Sequence, residues 1–350
     1  MLHAFGSNAR GQLSLGHLDD AHTPTPCTVP SPFPTTPPSK IVAGGNHSVL
    51  LFPNGTIFAA GDNTHNQCCL PSTSSPSLTA FHPIPAPTPH HWKRVSAGWN
   101  FSVLVSDDDR CFASGEGAKG ELGLGGGRHS ALLEEIPNFP PAGTGVLGVT
   151  SGMAHTLVVL GNGEVWGWGA GRKGQLGEPR LPAVSSPRRI GVGFEVGRAE
   201  CGREFSVLVD KHPSGRIVFL GNDKYGIEAP LSALVGVRIS DIQASWNGVY
   251  ILESSGILHA WGKNDRGQLP PSGLCNVQEI AVGSEHVLAT HGDRDTDEKR
   301  LVAWGWGEHG NCGRPGGGNV VGEAFELKFP GRKNVTRIGA GCATSWVWVE

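Results

Sequence analysis

Two short patterns alternate along this chain, each in seven copies, and so regular an alternation requires a ring or stack of near-identical units. The first pattern is a small residue and Gly, two or three variable residues, then a β-rich run. It reads AGGNHSVLLF from Ala43, AGWNFSVLV from Ala97, SGMAHTLVVL from Ser151 and CGREFSVLV from Cys201, then ASWNGVYIL from Ala244, VGSEHVLAT from Val282 and AGCATSWVWV from Ala340. The second is an aromatic or small residue, Gly, and a Gly/Asn/Asp-rich loop that often ends Gly-Gln-Leu. It reads FGSNARGQL from Phe5, AGDNTHNQC from Ala60, SGEGAKGEL from Ser114 and WGAGRKGQL from Trp168, then LGNDKYGI from Leu220, WGKNDRGQL from Trp261 and WGWGEHGNC from Trp304. Copies recur about every 40–55 residues, the interval of propeller blades.

Each copy has legible local chemistry. Runs such as Ser48–Phe52 and Ile57–Ala60 are strand formers, and Pro53-Asn54-Gly55 between them is a hairpin turn that tolerates positive φ. Antiparallel alternation then puts both repeated motifs on one face of a disc and the hairpins on the other. The chain opens on a second-pattern copy and ends just after a first-pattern copy, so the two half-units are expected to join. The predicted fold is all-β: a single seven-bladed β-propeller over residues 1–350, its last blade closed by N- and C-terminal strands.

Composition agrees with short strands and tight turns, with 52 Gly and 26 Pro. A formal charge of −3 predicts no direct contact with nucleic acid. The eight cysteines form no CxxC pair and no secretory framework, and the first ten residues lack an apolar signal segment. No run approaches the ~20 apolar residues of a membrane span, so a reduced, soluble, intracellular protein with no membrane contact is expected. The Pro-rich stretches Thr23–Lys40 and Leu70–His90, the Gly-rich Arg314–Gly322 and the charged run His291–Arg300 are read as surface loops.

These motifs, fourteen in order over nearly the whole chain, resemble the regulator-of-chromosome-condensation repeat family. A narrower resemblance is to its fungal killer-toxin-insensitivity branch, the alpha-tubulin suppressors. It is carried by WGWGEHGNCG from Trp304, GAGCATSWVWV from Gly339, the opening AFGSN, the GGNHSV segment, GWN at Gly98 and GSEH at Gly283. The resemblance implies a heterodimer with a small CSL-type zinc-ribbon protein that carries electrons for diphthamide synthesis on elongation factor two. It also implies an indirect link to the Elongator complex and wobble-uridine modification in tRNA, and residence in cytoplasm and nucleus.

The candidate partner-binding residues lie in motif-face turns: Trp99 and Asn100, Trp246 and Asn247, Glu285, and Trp306, Glu308 and His309. Most copies use small residues where Trp99 and Trp246 stand, and an exposed Trp is an effective interface anchor. Packing between blades is the competing role. His47, His155 and His286 recur at one slot that elsewhere holds Phe205 and Thr344, which points to a hydrogen-bonding turn and away from catalysis. Trp166, Trp168, Trp261 and Trp304 recur at strand ends and are read as core. His309-x-x-Cys312 has half-site spacing but no second half, so no metal or cofactor is expected. Phosphate-loop, nucleophile-elbow and zinc-protease motifs are all missing, so no catalytic residue is assigned and the chain is read as non-enzymatic. Two other functions within the family are weighed. A guanine nucleotide exchange factor for a Ran-type GTPase would be expected to carry a basic N-terminal tail, and here the repeat begins at Phe5. An ultraviolet-B sensor would need a clustered Trp/Arg surface.

Overall fold

The computed structural model describes residues 1–72, 76–212, 215–234, 236–292, 299–329 and 334–350. Each first-pattern copy forms the turn between the first and second strands of a sheet, and each second-pattern copy follows the third. In blade 1, Lys40–Ala43 rises along the central axis, His47–Leu51 descends, Ile57–Asp62 rises again and Ser77–Ile84 runs down the outside. The second strand is buried along its whole length, because both faces of a blade pack on neighbouring blades. That explains why these strands read as continuous apolar runs rather than alternating ones.

Seven such sheets form the ring. Blade 7 is made of Val335–Ala340 and Thr344–Val349, completed by Leu2–Gly6 and Ala21–Pro26 from the other end of the chain. Leu2 pairs with Trp348 and Gly6 with Thr344, and the Val349 amide donates to the Met1 carbonyl at 2.9 Å. The fold is the closed seven-bladed propeller expected from the repeats.

Two features depart from that expectation. The Pro- and Gly-rich stretches contain outer strands as well as loops: Ala21–Pro26, Ser77–Ile84 and Val320–Leu327 all overlap them. An outermost strand leaves one edge unpaired, so Pro24, Pro26 and Pro83 are tolerated there. Blades 4 and 5, by contrast, have three-stranded sheets. Only seventeen residues (222–238) and fourteen (263–276) follow their third strands, against 25 to 33 in the other blades. These are too few for a loop plus a fourth strand; in blade 4 the short helix Glu228–Ala233 packs Leu231 beside Ile227 instead. Most of the charged run His291–Arg300, residues 293–298, lies outside the described residues. Among the described residues no helix is long and apolar enough to cross a membrane.

A repeated latch joins the blades. The backbone carbonyl at the Gln of each second-pattern loop accepts a hydrogen bond from the next blade. Ser48 donates to Gln12, Ser102 to Gln67, Ser206 to Gln175 and Ser345 to Asn311, at 2.6–2.8 Å. Where that serine is replaced by Thr156 or Val287, an indole does the same: Trp168 Nε1 to Glu121 at 2.8 Å and Trp304 Nε1 to Gln268 at 3.0 Å. The seam between blades 4 and 5 is the exception among the described residues. There Ile227 stands in the Gln slot and Val249 in the Ser slot.

Candidate partner-binding face

The motif face is built from turns held by their own side chains. In the second-pattern loops the Gln side chain bends back to accept the amide two residues earlier. Gln12 takes Arg10, Gln175 takes Lys173 and Gln268 takes Arg266, all at 2.8–2.9 Å. In the first-pattern turns the glycine is required by packing. A Cβ on Gly44 would lie 2.3 Å from the His47 ring, and one on Gly98 would lie 2.0 Å from the Phe101 ring.

The histidine slot is structural, as expected from its repetition. His47, His155 and His286 are buried, and Nε2 of each lies 2.8–2.9 Å from Ser102, Ser206 or Ser345 of the next blade. Those serines already donate to the latch carbonyl, so they accept from Nε2–H. Burial lowers the imidazoles to about 4 for His47 and His155 and about 3 for His286, and all three are neutral.

Trp99 and Trp246 come from blades on opposite sides of the axis, yet their rings meet, with centroids 5.7 Å apart and planes at 44°. Both are half-buried and both line the motif-face end of the central channel. Gly45 makes room, because a Cβ there would lie 2.9 Å from the Trp99 ring. The Trp246 ring also carries the Arg203 guanidinium, 5.8 Å from its centroid. A polar cleft opens beside it, lined by Arg203, Lys224, Trp246, Asn247, Lys263 and Glu285. Lys263 donates to Glu285 at 2.8 Å. Burial alone would lower the Lys263 ammonium, but Glu285 and Asp265 together hold it above its usual value.

From Glu285 the surface continues outward. Its carbonyl accepts the Trp306 amide at 2.9 Å, and the Trp306 ring meets His309 edge-on at 5.3 Å. His309 Nδ1 lies 2.7 Å from Asp20 of blade 7. Arg266 donates to Glu308 at 2.5 Å, and hydrogen bonds from Trp306 and Arg266 hold the Glu308 carboxyl below its usual range. The eight candidates thus lie on one face. Seven form a connected arc from the axis to blade 6, while Asn100 sits beside Trp99 on blade 2.

His309 and Cys312 do not form a half-site. Cys312 is fully buried, its thiol pushed up to about 12 by burial, while His309 is turned toward Asp20. All eight cysteines are free thiols. Of the strand-end tryptophans, Trp168 and Trp304 are core as expected. Trp261 and Trp166 are half-exposed instead, and Trp261 stacks on His259 at 5.8 Å and 3°. Repetition could not reveal this: at their slot Trp168 and Trp304 donate to the preceding blade's loop, whereas Trp261 packs on the blade 4 cluster around Ile227 and rests on His259.

A seven-bladed ring whose loops are latched in this way defines a propeller of the RCC1 type. The RCC1-like domain family model matches residues 1–347, and the chain belongs to that family. It is 30% identical to an RCC1 repeat-containing protein of Schizosaccharomyces pombe, over 100% of this chain and 99% of that one. It is 26% identical to the secretion-regulating guanine nucleotide exchange factor of Mus musculus, over 89% of this chain and 75% of the relative. The crystal structure of Prp20p from Saccharomyces cerevisiae superposes with a TM-score of 0.82 at 18% identity, covering 99% of this chain and 91% of that one.

Proposed function

We propose that this protein is a non-catalytic propeller subunit whose motif face docks a small CSL-type zinc-ribbon electron carrier. Through that partner it supports Elongator-dependent wobble-uridine modification and diphthamide synthesis on elongation factor two, in cytoplasm and nucleus. The identity of the partner rests on the resemblance of Trp304–Gly313 and Gly339–Val349 to the killer-toxin-insensitivity proteins. The observation that supports docking on this face is the arc from Trp99 through Trp246 and Glu285 to Trp306 and His309. It joins aromatic anchors to a polar cleft, the composition of an interface centre and its rim.

An interfacial Trp cut to Ala typically costs about 2 kcal/mol or more, roughly 30-fold in affinity. Trp99→Ala with Trp246→Ala is therefore expected to abolish a submicromolar complex with the purified zinc-ribbon protein, while melting stays within a few degrees of wild type. Normal binding by the double variant would move the contact to the rim or the hairpin face. Unfolding would make the pair a packing element.

The second reading is a guanine nucleotide exchange factor for a Ran-type GTPase. It is favoured by the mouse exchange factor among the relatives and by Prp20p, a protein with binding properties to Gsp1p and histones. Nucleotide release from such a GTPase, measured at substoichiometric propeller, is expected to match the buffer control. Clear acceleration would replace the first reading with the second.

A further inference from the structure

The innermost strands line a central channel with side chains from alternate positions. At the hairpin-face end stand Lys40, Arg94, Arg198 and Asp241. Deeper in, a cavity of about 190 Å³ is walled by Thr150, Gln243 and the glycine turns, with Lys40 at its lower end and Trp99 and Trp246 at the motif-face end. Glu200 is the one carboxylate on that inner wall.

Glu200 is half-exposed to the channel, and the protein offers its carboxylate little. Thr150 Oγ1 donates to one carboxylate oxygen at 3.2 Å. Gln243 directs its amide hydrogens elsewhere, to Asp241 at 2.9 Å and to the Ile280 carbonyl at 2.8 Å. The Ser96 and Ser151 hydroxyls bond each other. Among the described residues no Lys, Arg or His nitrogen lies within the 4.0 Å of an ion pair, although Lys40 and Arg198 act on Glu200 from further off. Burial pushes the carboxyl up to about 7 in spite of them. A carboxylate and two indoles lining one cavity supply the chemistry that recognises a small ammonium ion: negative charge together with aromatic rings.

We propose that the central channel is a binding site for a compact organic cation, held by Glu200 beneath the Trp99–Trp246 pair. The site shares Trp99 and Trp246 with the proposed docking face, but Glu200 belongs to the channel alone, so loss of cation binding in Glu200→Gln is read separately from loss of the partner. Lys40, Arg94 and Arg198 at the far end repel extended polycations, so a compact ammonium is preferred to a polyamine.

The test is titration of the full chain at pH 8 with choline chloride, tetramethylammonium chloride, spermidine and sodium acetate, followed by calorimetry and tryptophan fluorescence. Saturable one-to-one binding of choline or tetramethylammonium is expected, weaker with spermidine and none with acetate. Glu200→Gln should weaken it by about tenfold. Trp99→Leu, which keeps apolar volume but loses the π face, should weaken it several-fold, and it serves as the arbiter if Glu200→Gln does not fold. Glu195→Gln, on the surface away from the channel, should bind as wild type. The proposal is overturned if neither compact cation saturates, if spermidine or acetate binds best, or if a folded Glu200→Gln or Trp99→Leu variant binds like wild type.

Discussion

The seam between blades 4 and 5 differs from the other six in construction. Elsewhere a serine or an indole reaches across to a loop carbonyl; at this seam neither residue type is in place. The same two blades lack the fourth strand. In consequence one residue type at one repeat position has two fates. Trp304 is 1% exposed and donates across its seam, whereas Trp261 is half-exposed and rests on His259. Burial of a repeat position is decided by what the neighbouring blade offers it, as much as by its own identity. The thin seam also borders the cleft beside Trp246, so the part of the ring with the fewest cross-links adjoins the proposed docking surface.

The largest expected effect comes from opening a second seam artificially. Deleting Met1–Leu15 removes a central strand of blade 7 and the Ser48 latch, and it should lower melting by more than ten degrees or prevent folding. If the truncated chain melts within a degree or two of the full one, ring closure contributes little and the seams are equivalent.

Acid should act next most strongly, and unevenly around the ring. His47, His155 and His286 lie in blades 1, 3 and 6; blades 4 and 5 carry Phe205 and Gly248 at that slot. Their folded values of about 3 to 4 lie below the unfolded value near 6.5, so the unfolded chain binds more protons in acid. The stability these neutral rings support is complete above about pH 6.5. It is lost as pH falls from there toward 4, by about 2 kcal/mol per histidine at pH 5. Melting curves between pH 7 and 5 should show the decline, and His155→Phe should make it shallower. An unchanged slope in that variant would mean that His155 is charged in the fold.

The smallest effect is a contrast between two tryptophans. Trp304→Ala should cost about 3–5 kcal/mol by chemical denaturation, since it empties a buried site and strands the Gln268 carbonyl. Trp261→Ala should cost about 1 kcal/mol. Equal losses would show that the thin blades are packed as tightly as the full ones.

Much of this molecule was legible from its repeats. Seven alternating motifs defined the ring, the terminal half-copies located its closure, and the varied occupancy of the histidine slot marked it as structural. The outer strands were hidden because Pro24, Pro26 and Pro83 look like loop residues until their position on an edge is known. Trp261 was misjudged for the reason just given. The turn positions placed Trp99 and Trp246 on one face, but their meeting across the axis depends on side-chain reach. Glu200 carried no signal at all, since GRAEC reads as an ordinary inner strand and only the assembled channel removes its partners.

Closure by distant strands also has a consequence for biosynthesis. Gly6 pairs with Thr344 and Leu2 with Trp348, so Leu2–Gly6 is translated well over three hundred residues before the strand it must join. At 5–20 residues per second it waits roughly 17–70 s, with Leu2, Ala4 and Phe5 destined for the core and only the outer strand Ala21–Pro26 to pair with. Six blades can accumulate from the ribosome in order, but the seventh can only be assembled once Thr344–Val349 has emerged. During that interval the N-terminal strand is the natural client of a chaperone.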